Sequence, residues 1–461
     1  MIVRKLRNLL FCFLGLVFGG MLIGCGGGTA ATATPPHTPA QPVAGTFTVA
    51  VDRTLVTAPA GGSIQRVTAT ITRYSNTNSI GVSVTGMPTG TVATVESQPG
   101  TGNSSTIALN PQSGALGSFP ITLTVTDGVN TVPLPLTFTI AADLTPQIAT
   151  PITWSSSAQL VAPVSNSTHS LNAIKDPVAF FYKNQWNVYA TDVDTTGAYN
   201  MLYLNFSDWS SAAGAPQYYM DQTPGFSGYH CAPQVFYFAP QNKWYMLLQA
   251  GPPQLSTNSD PTQPQSWSKP ANIFASQPST VSAWIDFWII CDGTHCFLFF
   301  AGDNGIIYRS QTNEQDFPNN FSTPLPILQS ASHFDLFESV HVYKLLNTTQ
   351  YLMMVEGLGS GGHRYFRAFI ANSLDGDFSP LANANTWAAP FAGPQNVTFA
   401  SGVTPWTSDI SHGDLIHTGY DETQTVDPAH LQFLYMGYPP SGANSSYSLI
   451  GWRLGLLTRS N

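Results

Sequence analysis

Apolar and polar residues alternate with a period of two along most of the chain beyond residue 45, and Gly, Pro, Asn and Ser punctuate the runs. Over 46–140 the runs are short, at 47–51, 67–74, 80–84, 92–95, 106–109, 121–126 and 134–140. Turn residues separate them at near-regular spacing, which predicts a β-sandwich. A linker is expected at 143–147. Beyond it, strand-like runs recur at 200–206, 234–238, 244–249, 296–301, 306–309, 340–344, 351–356, 365–371, 431–436 and 451–458, and no long helical period interrupts them. The run 174–182 followed by 186–192 predicts a hairpin turning at Lys183, Asn184 and Gln185. A region of about 310 residues made of short antiparallel strands is too large for one sandwich. It suits five blades of about 60 residues each, with a double jelly roll as the alternative. The expected class is all-β, a sandwich over 45–142 followed by a five-bladed β-propeller over 150–461.

Composition narrows the setting. A chain of 461 residues with 43 % hydrophobic residues can bury the cores of two or three domains. Only 9 % of residues are charged, against roughly a quarter in an average domain, while aromatics reach 12 %. This is the profile of a secreted, turn-rich β protein. A net charge of −9 with 16 Lys and Arg and no basic run gives no footprint for nucleic acid. Neutral polysaccharides fit better, although ordinary extracellular β domains share the same composition.

Residues 1–25 open with Arg4, Lys5 and Arg7 and continue with an apolar run too short to span a membrane. They end in Leu22-Ile23-Gly24-Cys25, which resembles a bacterial lipoprotein signal. That resemblance implies acylation of Cys25 and a place in the bacterial cell envelope. Residues 26–44 cannot build a core and read as a flexible tether. The stretch from Phe119 to Asp127 looks like the late strands of bacterial immunoglobulin-like domains. A spacer or accessory role is expected of that module.

Three cysteines remain outside the signal. Cys291 and Cys296 flank a four-residue turn, so a hairpin disulfide is feasible; a metal site shared with His295 is the competing reading and lacks a fourth ligand. Cys231 reads as a buried free thiol. Three acids interrupt otherwise apolar or aromatic runs: Asp176, Asp286 and Glu338. They lie 110 and 52 residues apart, far enough to fall on different blades. Carboxylates are costly to desolvate and are seldom placed in such runs for stability. Gathered at one mouth between aromatic walls, they would suit glycosidic cleavage, one protonating the leaving oxygen and another activating water. Tyr199, Tyr218, Tyr219 and Tyr229 are candidate groove aromatics.

At these residues a family resemblance becomes plain. Lys175-Asp176-Pro177, Trp284-Ile285-Asp286, Phe337-Glu338, Arg364-Tyr365-Phe366-Arg367 and Ser411-His412-Gly413-Asp414 stand in the order found in glycoside hydrolase family 62, the arabinoxylan α-L-arabinofuranosidases. The resemblance covers essentially all of 150–461. It implies inverting release of arabinofuranose side groups from arabinoxylan, with Asp176 as general base, Glu338 as general acid and Asp286 tuning the acid and orienting the sugar. It further implies that Lys175, Tyr447 and Arg453 bind substrate, and that His412 is a ligand to a calcium ion in the central channel. Ser448 and Ala250 depart from the family pattern, which expects Asn and Trp, so the xylan-chain contacts are less defined. A monomer is expected, with a membrane association only through the lipid anchor. Competing functions are a family 43 pentosidase and a non-catalytic glycan-binding surface lipoprotein.

Overall fold

The computed structural model describes residues 43–59, 65–111, 116–141, 148–444 and 446–461. The signal with Cys25, most of the tether and the linker at 143–147 lie outside the described residues. The described residues are all-β with eight short 3-10 segments.

Two four-stranded sheets make up the first region. One orders Thr46–Val51, Gln65–Tyr74, Ser104–Asn110 and Val92–Val95; the other orders Leu55–Pro59, Thr131–Ala141, Gly117–Thr126 and Gly81–Thr85. Alternation puts Val67, Ala69 and Ile71 of one strand and Ile121, Leu123 and Val125 of another into a shared core with Phe47, Ile107 and Phe138. The two sheets thus share one core built from their facing side chains.

The second region holds five separate sheets of four or five strands, which sets aside the double jelly roll. Their first strands, taken as those through which neighbouring sheets meet, are Leu171–Tyr182, Cys231–Phe238, Ile285–Cys291, Glu338–Leu345 and Ser411–Leu415. Each touches the next, and the fifth returns to the first, so the sheets close into a ring. The fifth sheet draws on both ends of the region: Trp154–Ser156 pairs with Arg453–Arg459, beside Gln432–Gly437. The hairpin expected after Tyr182 turns on Lys183 and Asn184 alone, with φ of 52° and 59°, and Gln185 already belongs to the second strand. Two positive φ values match the right-handed twist of the paired strands, as in a type I′ turn.

Buried side chains stitch the ring at every seam. The Ala232 N–H donates to Thr191 Oγ1 at 2.8 Å, Gln234 bonds both N and O of Ile289 at 2.7 Å, and Trp288 Nε1 donates to the Val342 carbonyl at 2.8 Å. The Leu415 N–H donates to the Tyr343 hydroxyl at 3.1 Å, and the Ala179 N–H donates to Asp414 Oδ2 at 3.1 Å. Each buried donor thereby keeps a partner, as buried backbone groups must.

All five first strands break register near their starts, between Lys175 and Val178, Cys231 and Gln234, Ile285 and Trp288, Glu338 and His341, and Ser411 and Gly413. The bulged residues Asp176, Ala232, Asp286 and Ser339 adopt φ of 47°, 48°, 54° and 55°, a conformation that non-glycine residues rarely hold. A bulge turns consecutive side chains toward one side. Gly413 follows His412 in the fifth strand, where a Cβ would collide with the Leu434 carbonyl.

Candidate active site

The five bulges gather at one mouth. Lys175, Asp176, Asp286, Glu338, His412 and Tyr447 line a cavity of about 300 Å³ there, with Tyr199, Tyr229 and Gln249 on its wall. That volume lies at the small end of ligand pockets. The acids come from the first, third and fourth sheets, as their spacing suggested. Lys175 shares the pocket with Asp176 because the bulge bends the strand between them; on a regular strand the two would face opposite ways.

A bulge leaves backbone donors unpaired, and here buried side chains take them up. The Asp286 N–H donates to Gln249 Oε1 at 3.0 Å, the Ser339 N–H to Asp286 Oδ2 at 2.8 Å, and the His412 N–H to Glu356 Oε2 at 2.8 Å. Asp286 is thus held by one bulge and supports the next.

Charges pair across the pocket. His412 Nδ1 stands 3.5 Å from Asp176 and 3.6 Å from Asp286. Arg364 Nη1 donates to both Glu338 and Glu356, the latter at 2.6 Å. Burial, then the carboxylates of Glu338 and Asp176, push Asp286 up to about 6 against the lowering effect of His412. Burial likewise pushes Glu356 up to about 7, with Arg364 opposing it. Burial works against the charge on Lys175, yet Asp176, Tyr447 and Tyr199 hold its ammonium well above the ordinary range. Its Nζ donates to the Tyr447 hydroxyl at 3.2 Å and lies 4.9 Å from the Tyr199 ring.

Not every expected residue joins the site. Arg453 donates to the carbonyls of Asn172 at 2.9 Å and Trp452 at 2.7 Å, and does not line the pocket. Tyr218 bonds Thr223 and Tyr219 stacks on His169, so of the four tyrosines only Tyr199 and Tyr229 reach the cavity. Cys291 and Cys296 form a disulfide, and Cys231 is a buried thiol at the pocket wall. Arg364 and Glu356 were given no role from the sequence. Glu356 carried the same signal as the other acids, a carboxylate ending the apolar run 351–355. Arg364 carried no signal besides the family motif.

Around His412 the residues form no closed cage. Among the described residues, the one group of three His, Cys, Asp or Glu donor atoms within 4.8 Å of one another is elsewhere, at Cys291, Cys296 and Glu314. The imidazole of His341 lies 5.0 Å from that of His412, and its Nδ1 and the Ser339 hydroxyl are buried without partners. Such orphaned groups fit a hydrated ion that takes most of its ligands from water.

Three carboxylates between a lysine and an arginine, at the mouth of a closed ring of sheets, define a site suited to acid–base hydrolysis. The family model of glycosyl hydrolase family 62 matches residues 153–458, and the chain belongs to that family. It is 41 % identical over 314 residues to α-L-arabinofuranosidase C of Cellvibrio japonicus, a match covering 68 % of this chain and 48 % of that enzyme; the chain thus spans about half the length of this relative. The catalytic domain of a Coprinopsis cinerea family 62 α-L-arabinofuranosidase superposes with a TM-score of 0.65 at 40 % identity, covering 67 % of this chain and 98 % of that one. A Podospora anserina α-L-arabinofuranosidase in complex with cellotriose gives 0.64 at 38 % identity, covering 67 % and 97 %.

Proposed function

We propose that the protein is an inverting α-L-arabinofuranosidase that removes arabinofuranose side groups from arabinoxylan. The observation that carries this reading is the small pocket in which Asp176, Asp286 and Glu338 meet on three adjoining bulged strands. The pocket is sized for one sugar, and it adjoins a cavity of about 520 Å³ lined by Phe274 and Trp284, with room for the chain that carries the sugar. Family membership favours family 62 chemistry over the family 43 alternative.

In this mechanism Glu338 gives its proton to the glycosidic oxygen as the bond to the anomeric carbon breaks. Asp176 takes a proton from the water that attacks that carbon from the opposite face. Glu338 is left ionised and Asp176 protonated, and solvent restores both. Lys175 and Tyr447 orient the sugar, and Asp286 supports Ser339 next to the acid. The test is product analysis on arabinoxylan. Free arabinose as sole product, with the β anomer first by proton NMR, is the expected result; xylose or the α anomer first would refute it.

The surrounding architecture fits the same reading. The ring of five sheets is a five-bladed propeller, and the sandwich before it is an immunoglobulin-like spacer. A hydrated calcium ion at His412 would stabilise the channel mouth without activating water, so chelation is expected to lower the melting temperature modestly. Acylation of Cys25 would hold a monomeric enzyme in the bacterial envelope; Cys25→Ser is expected to release it, and wild type without lipid on Cys25 would refute the anchor.

A further inference from the structure

Asp192 lies near the end of the second strand of the first sheet, Gln185–Asp194, and its carboxyl has no role in the chemistry above. The residue is 5 % exposed, and burial and neighbouring charges act on its carboxyl without a hydrogen bond from a described residue among them. The charged groups it faces are Asp221, His169 and Asp194. All four line a cavity of about 760 Å³. Tyr199 and Tyr229 line both this cavity and the catalytic pocket, with ring centroids 6.0 Å apart, so the two spaces adjoin.

The charged neighbours of Asp192 are already engaged. His169 Nε2 stands 3.1 Å from both oxygens of Asp221, and its ring stacks on Tyr219 at 3.9 Å. Asp194 accepts from the N–H groups of Thr196 and Ala198. Asp192 has no such donor among them, and its carboxyl lies against the cavity, where a group from outside can supply one. Burial and the facing acids Asp221 and Asp194 push it up to about 7, so it can both accept and donate.

Two chemistries could satisfy it, a divalent cation or sugar hydroxyls. For a cation, no three His, Cys, Asp or Glu donor atoms lie within 4.8 Å of one another here among the described residues, and, unlike the surroundings of His412, the lining holds no fully buried orphaned group for an ion's water to satisfy. A sugar ring needs only hydroxyl-to-carboxyl bonds and a tyrosine face, and both are present. We propose that the cavity around Asp192 is a second sugar subsite, which holds a neutral hydroxyl-bearing residue of the polysaccharide whose side group enters the catalytic pocket, and whose acids reject uronic-acid-bearing chains. The proposal rests on the arabinofuranosidase reading above.

The experiment compares full-length wild type with Asp192→Asn on three substrates: an aryl arabinofuranoside, a neutral arabinoxylan oligosaccharide, and one carrying a glucuronic acid beside the arabinose. The variant is expected to lower the ratio of kcat/KM on the neutral oligosaccharide to that on the aryl substrate about tenfold, mainly through KM. It is also expected to narrow the discrimination against the acidic oligosaccharide. An unchanged ratio would overturn the subsite, as would a calcium-induced rise in melting temperature that Asp192→Asn abolishes. Should Asp192→Asn not fold, Asp192→Ser is read in the same way. Wild type inert on both the aryl and the neutral substrate would instead overturn the arabinofuranosidase reading on which the subsite rests.

Discussion

The catalytic pocket has two halves, and each sets two carboxylates around one nitrogen-bearing side chain. On one side Asp176 and Asp286 face the imidazole of His412, at 3.5 and 3.6 Å. On the other, Glu338 and Glu356 share the guanidinium of Arg364. A guanidinium keeps its charge throughout the working pH range, so the second half carries a fixed positive charge that an imidazole does not guarantee to the first. The halves also differ in what their buried acid does. Asp286 holds the bulge at Ser339, next to Glu338, whereas Glu356 holds the bulge at His412 and also accepts from the Ser411 hydroxyl at 2.9 Å. Each half is therefore anchored by an acid of the other.

The sharpest way to break this comparison is to remove one working acid from each half. Glu338→Gln cannot protonate a leaving oxygen, so activity on arabinoxylan is expected to fall by about 10²–10⁴ while an aryl arabinofuranoside, whose leaving group departs unaided, keeps a substantial fraction. Asp176→Asn is expected to lose both substrates, because water must be activated in either case. Equal loss on both substrates in Glu338→Gln, read from kcat/KM, would mean that the roles are reversed or shared.

The next largest effect is structural. Arg364→Met leaves two carboxylates with no guanidinium, one of them fully buried, and removal of one partner from a buried pair costs about 3–5 kcal/mol. The melting temperature should drop most at pH 7.5 and least near pH 5, where Glu356 takes up a proton. A loss that does not depend on pH would show that the guanidinium acts by packing alone, through its contact with the Phe337 ring 4.8 Å away.

Glu356→Gln sharpens the same point with a smaller change. Glu356 titrates at about 7 in the folded chain, above the ordinary 4.5. A raised acid binds, in the folded state, a proton that the unfolded chain has already released between those values. Its contribution to stability is therefore greatest below about pH 4.5 and is lost as pH rises to about 7, by up to about 3 kcal/mol. The variant lacks this loss, so the wild-type melting temperature should fall relative to that of Glu356→Gln across the window. Parallel curves would place the proton elsewhere.

Much of this was legible in the chain. Alternation located most strands, and acids inside apolar runs marked Asp176, Asp286 and Glu338, because a desolvated carboxylate stands out against Ile, Phe and Trp. The bulges were not legible. Positive φ usually announces itself as glycine, and here Asp, Ala and Ser hold it, enforced by neighbours on other sheets such as Thr191 and Gln249. The same tertiary enforcement hid Arg364, whose partners lie 8 and 26 residues away and meet it only once strands of one sheet pair. Arg453 shows the converse: its position in the closing strand matched the family, and only the folded chain reveals that its guanidinium bonds local carbonyls.

The smallest expected effect lies where the two halves meet. The Tyr447 ring stands 4.6 Å from Lys175 Nζ and 5.3 Å from the Arg364 guanidinium, so it faces a cation from each half, while its hydroxyl accepts from Lys175 at 3.2 Å. Tyr447→Phe keeps the ring and deletes only the hydroxyl, at a cost of about 1 kcal/mol for the hydrogen bond. It is expected to lower kcat/KM by less than about tenfold, chiefly through KM, because Lys175 keeps its place beside Asp176. Tyr447→Leu also deletes the ring and both cation–π contacts, worth about 0.5–2 kcal/mol each according to how far they are desolvated, and is expected to lose more on every substrate. If the two variants proved equally impaired, the hydroxyl and not the ring would be what joins the halves, and Tyr447 would act by orienting Lys175 alone.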